Sequence, residues 1–178
     1  MIDPAWGPFL FDISAESWLA RTREPGLERW FAEYLSRHPV HVSAVTVVER
    51  IRGYALLWQR ARAGRAEVEA ARIAYLAGLG RVWPLDGAIS IVAGEIMALL
   101  PDPPTAPRRA HKLVESRQER LVRWRFDVMI ASTALVAGMP LIHNNPADFE
   151  SIRSAIERTP GRFPKLGPLQ PIRCASLA

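Results

Sequence analysis

The sequence has a single cysteine, Cys174, in 178 residues. An intramolecular disulfide and a thiolate metal site are both excluded, and a reducing cytoplasm is the expected location. No apolar run approaches the roughly 20 residues that cross a bilayer, so no membrane partner is expected. The opening MIDPAWGPFLFD has no basic stretch ahead of its apolar run and no cleavage pattern, so it is not read as a signal peptide. There is no internal repeat, no low-complexity tract and no phosphate-binding glycine loop, which argues against a nucleotide-dependent enzyme. His38, His41 and His111 lack metal-ligand spacing, and His143 is read as a polar residue at a strand end. Acids are outnumbered, with 18 Asp plus Glu against 23 Lys plus Arg, and the sequence pI is about 10.1. Arginine supplies nearly all of the excess. A solvated surface explains such an excess, and nucleic acid is its leading specific partner.

What is present is globular: 49% apolar and 23% charged residues, enough chain for one ordinary domain with a proper core. Short apolar runs read as strands at Phe9–Ile13, Val40–Ser43, Arg81–Leu85, Met139–His143 and Leu169–Arg173. Pro84 suggests an edge position or a strand exit for the third. Helices are expected over about 15–23 with Ser14 as cap, 27–37, 45–63, 66–77 and from Asp86 to about 100. Four prolines between Pro101 and Pro107 make a stiff loop. Arg108 to Arg125 is then read as a basic helix, and an apolar helix runs from Asp127 to a stop at Gly138. Strands alternating with helices point to a parallel α/β sheet.

Four acids in this basic chain, Asp12, Glu49, Asp127 and Asp148, each read as lying just past a strand, where parallel sheets place ligands. Each also has a structural explanation. Asp12 suits a helix N-cap, and so does Asp127 before Val128. Glu49 falls three residues after Thr46, the spacing of a capping box with Ser43 or Thr46 as cap. Asn145-Pro146 suits an N-cap and first helical position, with Asp148 favouring the helix dipole. Helix ends alone do not explain why four carboxylates gather at strand exits.

Three blocks carry a resemblance: Leu10-Phe-Asp-Ile-Ser14, Val42-Ser-Ala-Val-Thr-Val-Val-Glu-Arg-Ile-Arg-Gly53, and Asp127 to Glu150. They resemble the motifs of PIN-domain ribonucleases, specifically VapC-type toxins of type II toxin–antitoxin pairs. In the third block Ile130-Ala131, Thr133-Ala134-Leu135, Gly138, Asn145 and Asp148-Phe149 are in register. The resemblance implies a PIN-like three-layer α/β/α fold with a short parallel sheet. It implies one such domain over residues 1–178, with a Pro-rich loop and basic helix inserted at about 101–125.

By the same resemblance Asp12, Glu49 and Asp127 are metal-binding acids, and Asn145 with Asp148 fills a fourth, variable polar position. Ser14 matches the small hydroxyl or amide that helps support the site. Ile13 stands where Thr is usual, and His143 where Thr or Ser is common. Oxygen-only ligands suit Mg²⁺ or Mn²⁺. The implied activity is RNA phosphodiester hydrolysis that leaves a 3′-hydroxyl and a 5′-phosphate. The implied partners are a cognate antitoxin, an RNA substrate and a second copy of the chain. Arg50, Arg52, Arg108, Arg109, Lys112 and Arg117 are the candidate RNA-backbone contacts, although any one of them taken singly reads more readily as a solvated face. Two rivals stand beside this reading. One is a catalytically silent PIN-like module that binds RNA or protein. The other is a haloacid-dehalogenase-like hydrolase using Asp12 as nucleophile, against which Ser14 stands where a second Asp is needed.

Overall fold

The computed structural model describes residues 2–107, 109–110, 113–159, 161–163 and 166–177. Short apolar segments become strands because both of their faces are covered: β1 (Leu10–Phe11), β2 (His41–Ser43) and β6 (Leu141–His143) are buried throughout. With β3 (Arg81–Trp83) and β7 (Pro171–Arg173) they form a parallel sheet in the order β3-β2-β1-β6-β7. β3 is an edge strand and Pro84 follows its last residue, as the sequence predicts.

Side chains alternate across this sheet. Leu10 and Leu141 face one core, built with Ile96, Trp124, Val128, Phe149 and Ile152 from α5 (Gly87–Leu99), α6 (Arg117–Ala137) and α7 (Pro146–Glu157). Phe9, Phe11, Val42 and Ile142 face the other, built with Leu19, Leu27, Trp30 and Tyr34 from α1 (Ile13–Leu19) and α2 (Pro25–Arg37). Tyr34 stacks on Trp30 at 5.5 Å, and its hydroxyl accepts a hydrogen bond from the Phe9 amide at 3.2 Å. The result is the three-layer α/β/α arrangement expected, each large buried side chain contributing about 1.5–3 kcal/mol. The last two helices of that inventory, α3 (Ala44–Arg60) and α4 (Arg65–Ala77), connect β2 to β3. No described helix is long and apolar enough to cross a membrane.

Two expectations are corrected. The described residues 109–110 and 113–125 do not make a separate basic helix. Arg109–Ala110 (β4) and Leu113–Val114 (β5) pair as an antiparallel ribbon, and α6 starts at Arg117 and runs unbroken to Ala137. A capping box explains the start: Ser116 accepts from the Glu119 amide, and Glu119 accepts in return from the Ser116 amide. Gly138 ends the helix with φ +63°, a left-handed geometry that favours glycine. Asp127 therefore lies mid-helix, neither an N-cap nor just past a strand. Arg108, His111 and Lys112 lie outside the described residues.

The chain order of the sheet matters for function. From β1 it steps outward through β2 and β3, and then returns to the other side of β1 with β6 and β7. The direction of winding reverses between β1 and β6, and open parallel sheets bind ligands at the carboxyl ends flanking such a reversal.

Candidate active site

Asp12 leaves β1 at that reversal. Its backbone is extended and its carboxylate accepts from the Ala15 amide at 2.6 Å, so Asp12, not Ser14, caps α1. Ser14 supports it instead. Its Oγ lies 2.9 and 2.8 Å from the two carboxylate oxygens and accepts from the Asn144 amide at 3.1 Å. One hydroxyl thus ties the exit of β1 to the exit of β6. Burial outweighs these bonds and pushes the Asp12 pKa up from 3.8 to about 6.

Asp127 reaches the same place from α6. Burial raises its pKa well above 3.8, and the charges of Asp148, Asp12 and Glu49, with a hydrogen bond shared with Asp148, raise it further. The other three predicted acids, Asp148, Asp12 and Glu49, therefore act on one carboxyl group, that of Asp127. Asn145 donates from its side-chain amide to Asp127 Oδ2 at 3.1 Å and also to Asp148 Oδ2. That amide occupies the N-cap position of α7 without capping it. Asp148, in the first turn of α7, is completely buried, and its Oδ1 has no hydrogen-bond partner.

Glu49 is half-buried on the second turn of α3. The predicted Thr46–Glu49 box does not form, because Ser43 is the cap and accepts from the Thr46 amide at 3.1 Å. His143 ends β6 fully buried, with Nδ1 accepting from the Asn145 amide at 3.1 Å. Burial, its largest influence, drives its pKa down to about 4, so the ring is neutral and fixes the turn into α7.

Sequence reasoning missed Arg123. Its Nη1 donates to Asp148 Oδ2 at 3.0 Å, while Nε and Nη2 each donate at 3.0 Å to the two oxygens of Glu115. A signal was there: Arg123 precedes Asp127 by four residues, which puts both on one helix face. Dividing α6 into two helices hid it. Of the predicted RNA contacts, Arg50 pairs with Glu16 at 2.8 Å, Arg117 is exposed beside Asp102, and Arg52 is exposed. Arg109 lies in β4.

The donors match a hard divalent cation in type and charge: carboxylate and amide oxygens, one buried oxygen without a partner, and one acid burdened by three others. Among the described residues, however, no three acids are drawn together as a ligating group. The fit is one of chemistry and electrostatics, with Asp148 already engaged by Arg123.

A family model described as PIN domain matches residues 10–154. No curated protein matches the sequence. Among solved structures, the fold is similar to VapBC2 from Rickettsia felis bound to a promoter DNA fragment. That match has a TM-score of 0.59 and 12% identity, and it covers 93% of this chain and 97% of that one. A DNA-bound VapBC from Salmonella typhimurium gives 0.57 and 19%, covering 93% and 97%. FitAcB from Neisseria gonorrhoeae gives 0.53 and 22%, covering 82% and 93%. At these identities the likeness is one of fold.

Proposed function

The chain belongs to the PIN domain family, and from that premise we propose that it is a Mg²⁺- or Mn²⁺-dependent endoribonuclease acting as the toxin of a toxin–antitoxin pair. The observation that carries this reading is Asp127: a carboxyl group buried in the middle of a helix and burdened by Asp148, Asp12 and Glu49. Burying Asp127 among these charges costs the fold stability, and a cation beside Asp12 and Asp127 would offset that cost.

In this reading Asp12 and Asp127 are the primary ligands. Glu49 is a further ligand or the base that orients the attacking water. Asp148 and Asn145 complete the polar shell. A bound divalent ion would supply charge neutralisation at the scissile phosphate and a more acidic water. The chain's own residues do the positioning. Ser14 fixes the plane of the Asp12 carboxylate, and Asn145 holds Asp127 and Asp148 side by side. The RNA backbone would run over Arg52, Arg109 and Arg117, with Arg108 and Lys112 on the same insertion. Arg50 is a weaker candidate, because Glu16 already neutralises it. The resemblance to VapC-type toxins, together with the shared fold, supports a cognate antitoxin and a second copy of the chain as partners.

The test is cleavage of a structured RNA by purified protein with Mg²⁺, with EDTA, and as Asp12→Asn or Asp127→Asn. Cleavage confined to wild type with Mg²⁺ is expected. Cleavage that persists in EDTA or in both variants overturns the reading. A second reading, a silent PIN-like module, is favoured by two observations: Arg123 is bonded to Asp148, and no three described acids form a ligating group. RNA retarded in a gel but never cut would select it.

A further inference from the structure

Arg123 is not explained by the needs of α6. An arginine on a surface helix would extend into water, yet this side chain is 14% exposed and is fixed on both edges. One edge grips Glu115 through two parallel bonds of 3.0 Å. The remaining nitrogen, Nη1, donates to Asp148 Oδ2, whose carboxylate is fully buried. Glu115 follows β5 directly and precedes the cap of α6, so the anchor sits where the inserted ribbon leaves for the helix.

The chemistry of this chain of charges is specific. A guanidinium keeps its proton under all ordinary conditions, and its planar fork can satisfy two carboxylates at once. With little water to screen it, Arg123 neutralises Asp148 permanently. A divalent ion approaching Asp148 would find only Oδ1 without a hydrogen-bond partner and would meet the fixed charge of Arg123, 3.0 Å from Oδ2. Among the described residues no guanidinium hydrogen-bonds Asp12 or Asp127: their partners are a hydroxyl, a backbone amide, a side-chain amide and the Asp148 carboxyl, with the Arg123 charge reaching Asp127 only through space.

We propose that Arg123 is a positioning residue that serves as the built-in counter-ion of the site, withdrawing Asp148 from the metal-ligand set, with Glu115 holding it there. The site then takes one divalent ion, on the side of Asp12 and Asp127. The inserted ribbon, through Glu115, sets how firmly Asp148 is withheld. This rests on the metal-nuclease reading above.

The experiment is calorimetric titration of the full chain with Mn²⁺ at pH 7.5, without RNA. Wild type is expected to bind one ion. Arg123→Gln, which leaves Asp148 without its cation, is expected to bind a second ion, or the first at least about tenfold more tightly. Arg123→Lys keeps a charge beside Asp148 and is expected to retain the wild-type isotherm. Glu115→Gln loosens the anchor and is expected to shift the isotherm in the same direction as Arg123→Gln, by less. A purely structural role would lower the melting temperature of Arg123→Gln and leave its isotherm unmoved. That outcome overturns the proposal. Should Arg123→Gln fail to fold, Glu115→Gln decides, and an unchanged isotherm there overturns it. Wild type that binds no Mn²⁺ overturns both this proposal and the metal-nuclease reading. Binding by wild type with no change in either variant overturns this proposal alone.

Discussion

The exits of β1 and β6 lie side by side and are built alike: a short buried strand, one or two polar residues, and a helix. They use their capping residues differently. At the β1 exit Asp12 caps its own helix through the Ala15 amide and faces the site with the same carboxylate. At the β6 exit Asn145 stands at the cap position and makes no capping bond, while its side-chain NH2 group donates to Asp127 and Asp148. An N-cap is worth about 1 kcal/mol. One exit reconciles fold and site in a single group, and the other gives up local stability to hold two acids together. That sacrifice marks the β6 side as the part shaped most strongly by function.

The sharpest way to break the comparison is Asp127→Asn. Cleavage should fall on the order of 10³-fold or more, as when a single preorganised charged group is removed. Because the substitution relieves a buried, mutually repelling acid, the melting temperature without divalent ions should rise by roughly 2–4 °C, the equivalent of about 1 kcal/mol. Thermal unfolding in EDTA checks this, and a marked drop would make Asp127 a structural residue.

Divalent ions come next. At 100 times its dissociation constant, a bound ion should add about 2.7 kcal/mol at pH 7.5. The sign with pH follows from Asp12, whose folded pKa of about 6 exceeds its ordinary 3.8. The folded state binds more protons between those values, so this group's stabilising contribution is complete below 3.8 and is lost as pH rises through 6. The cation should restore what is lost, so its effect on melting should be larger at pH 7.5 than at pH 5. His143 runs the other way. With a folded pKa of about 4 against 6.5, its contribution is complete above 6.5 and disappears as pH falls towards 4. Melting curves with and without Mg²⁺ at the two pH values separate these effects.

Asn145→Ala should reduce cleavage about 10- to 100-fold, the usual effect of losing a group that orients metal ligands. It should also lower stability by about 1–3 kcal/mol, since two buried acids lose their shared donor. Steady-state cleavage and urea unfolding of the same variant test both halves. The smallest expected effect on stability is on the β1 side. Asn caps helices as well as Asp does, so Asp12→Asn should abolish cleavage while shifting the melting temperature by no more than about 2 °C. A large loss of stability there would show that the two exits do not divide their duties as described.

Much of this was legible before any coordinates. Short apolar runs located the five sheet strands to within two residues at either end, and Gly138 and Asp86 marked helix ends where the backbone required them. The acids were legible as types, but their convergence was not. It depends on the winding reversal between β1 and β6 and on the unbroken path of α6, which no local pattern encodes. α6 was misdivided because the charged face of its first half and the apolar second half look like two helices, when in fact the burial of one helix changes along its length. Arg123 disappeared with that division. Glu49 looked like a cap partner because Thr46 offered the right spacing, but Ser43 at the strand exit took the cap first.

The most direct single measurement is Mn²⁺ binding by wild type and Asp127→Asn at pH 7.5, titrated by calorimetry in the absence of RNA. Saturable binding by wild type that is lost in Asp127→Asn is expected if Asp12 and Asp127 hold one cation. Equal binding by both proteins, or none by wild type, would contradict it.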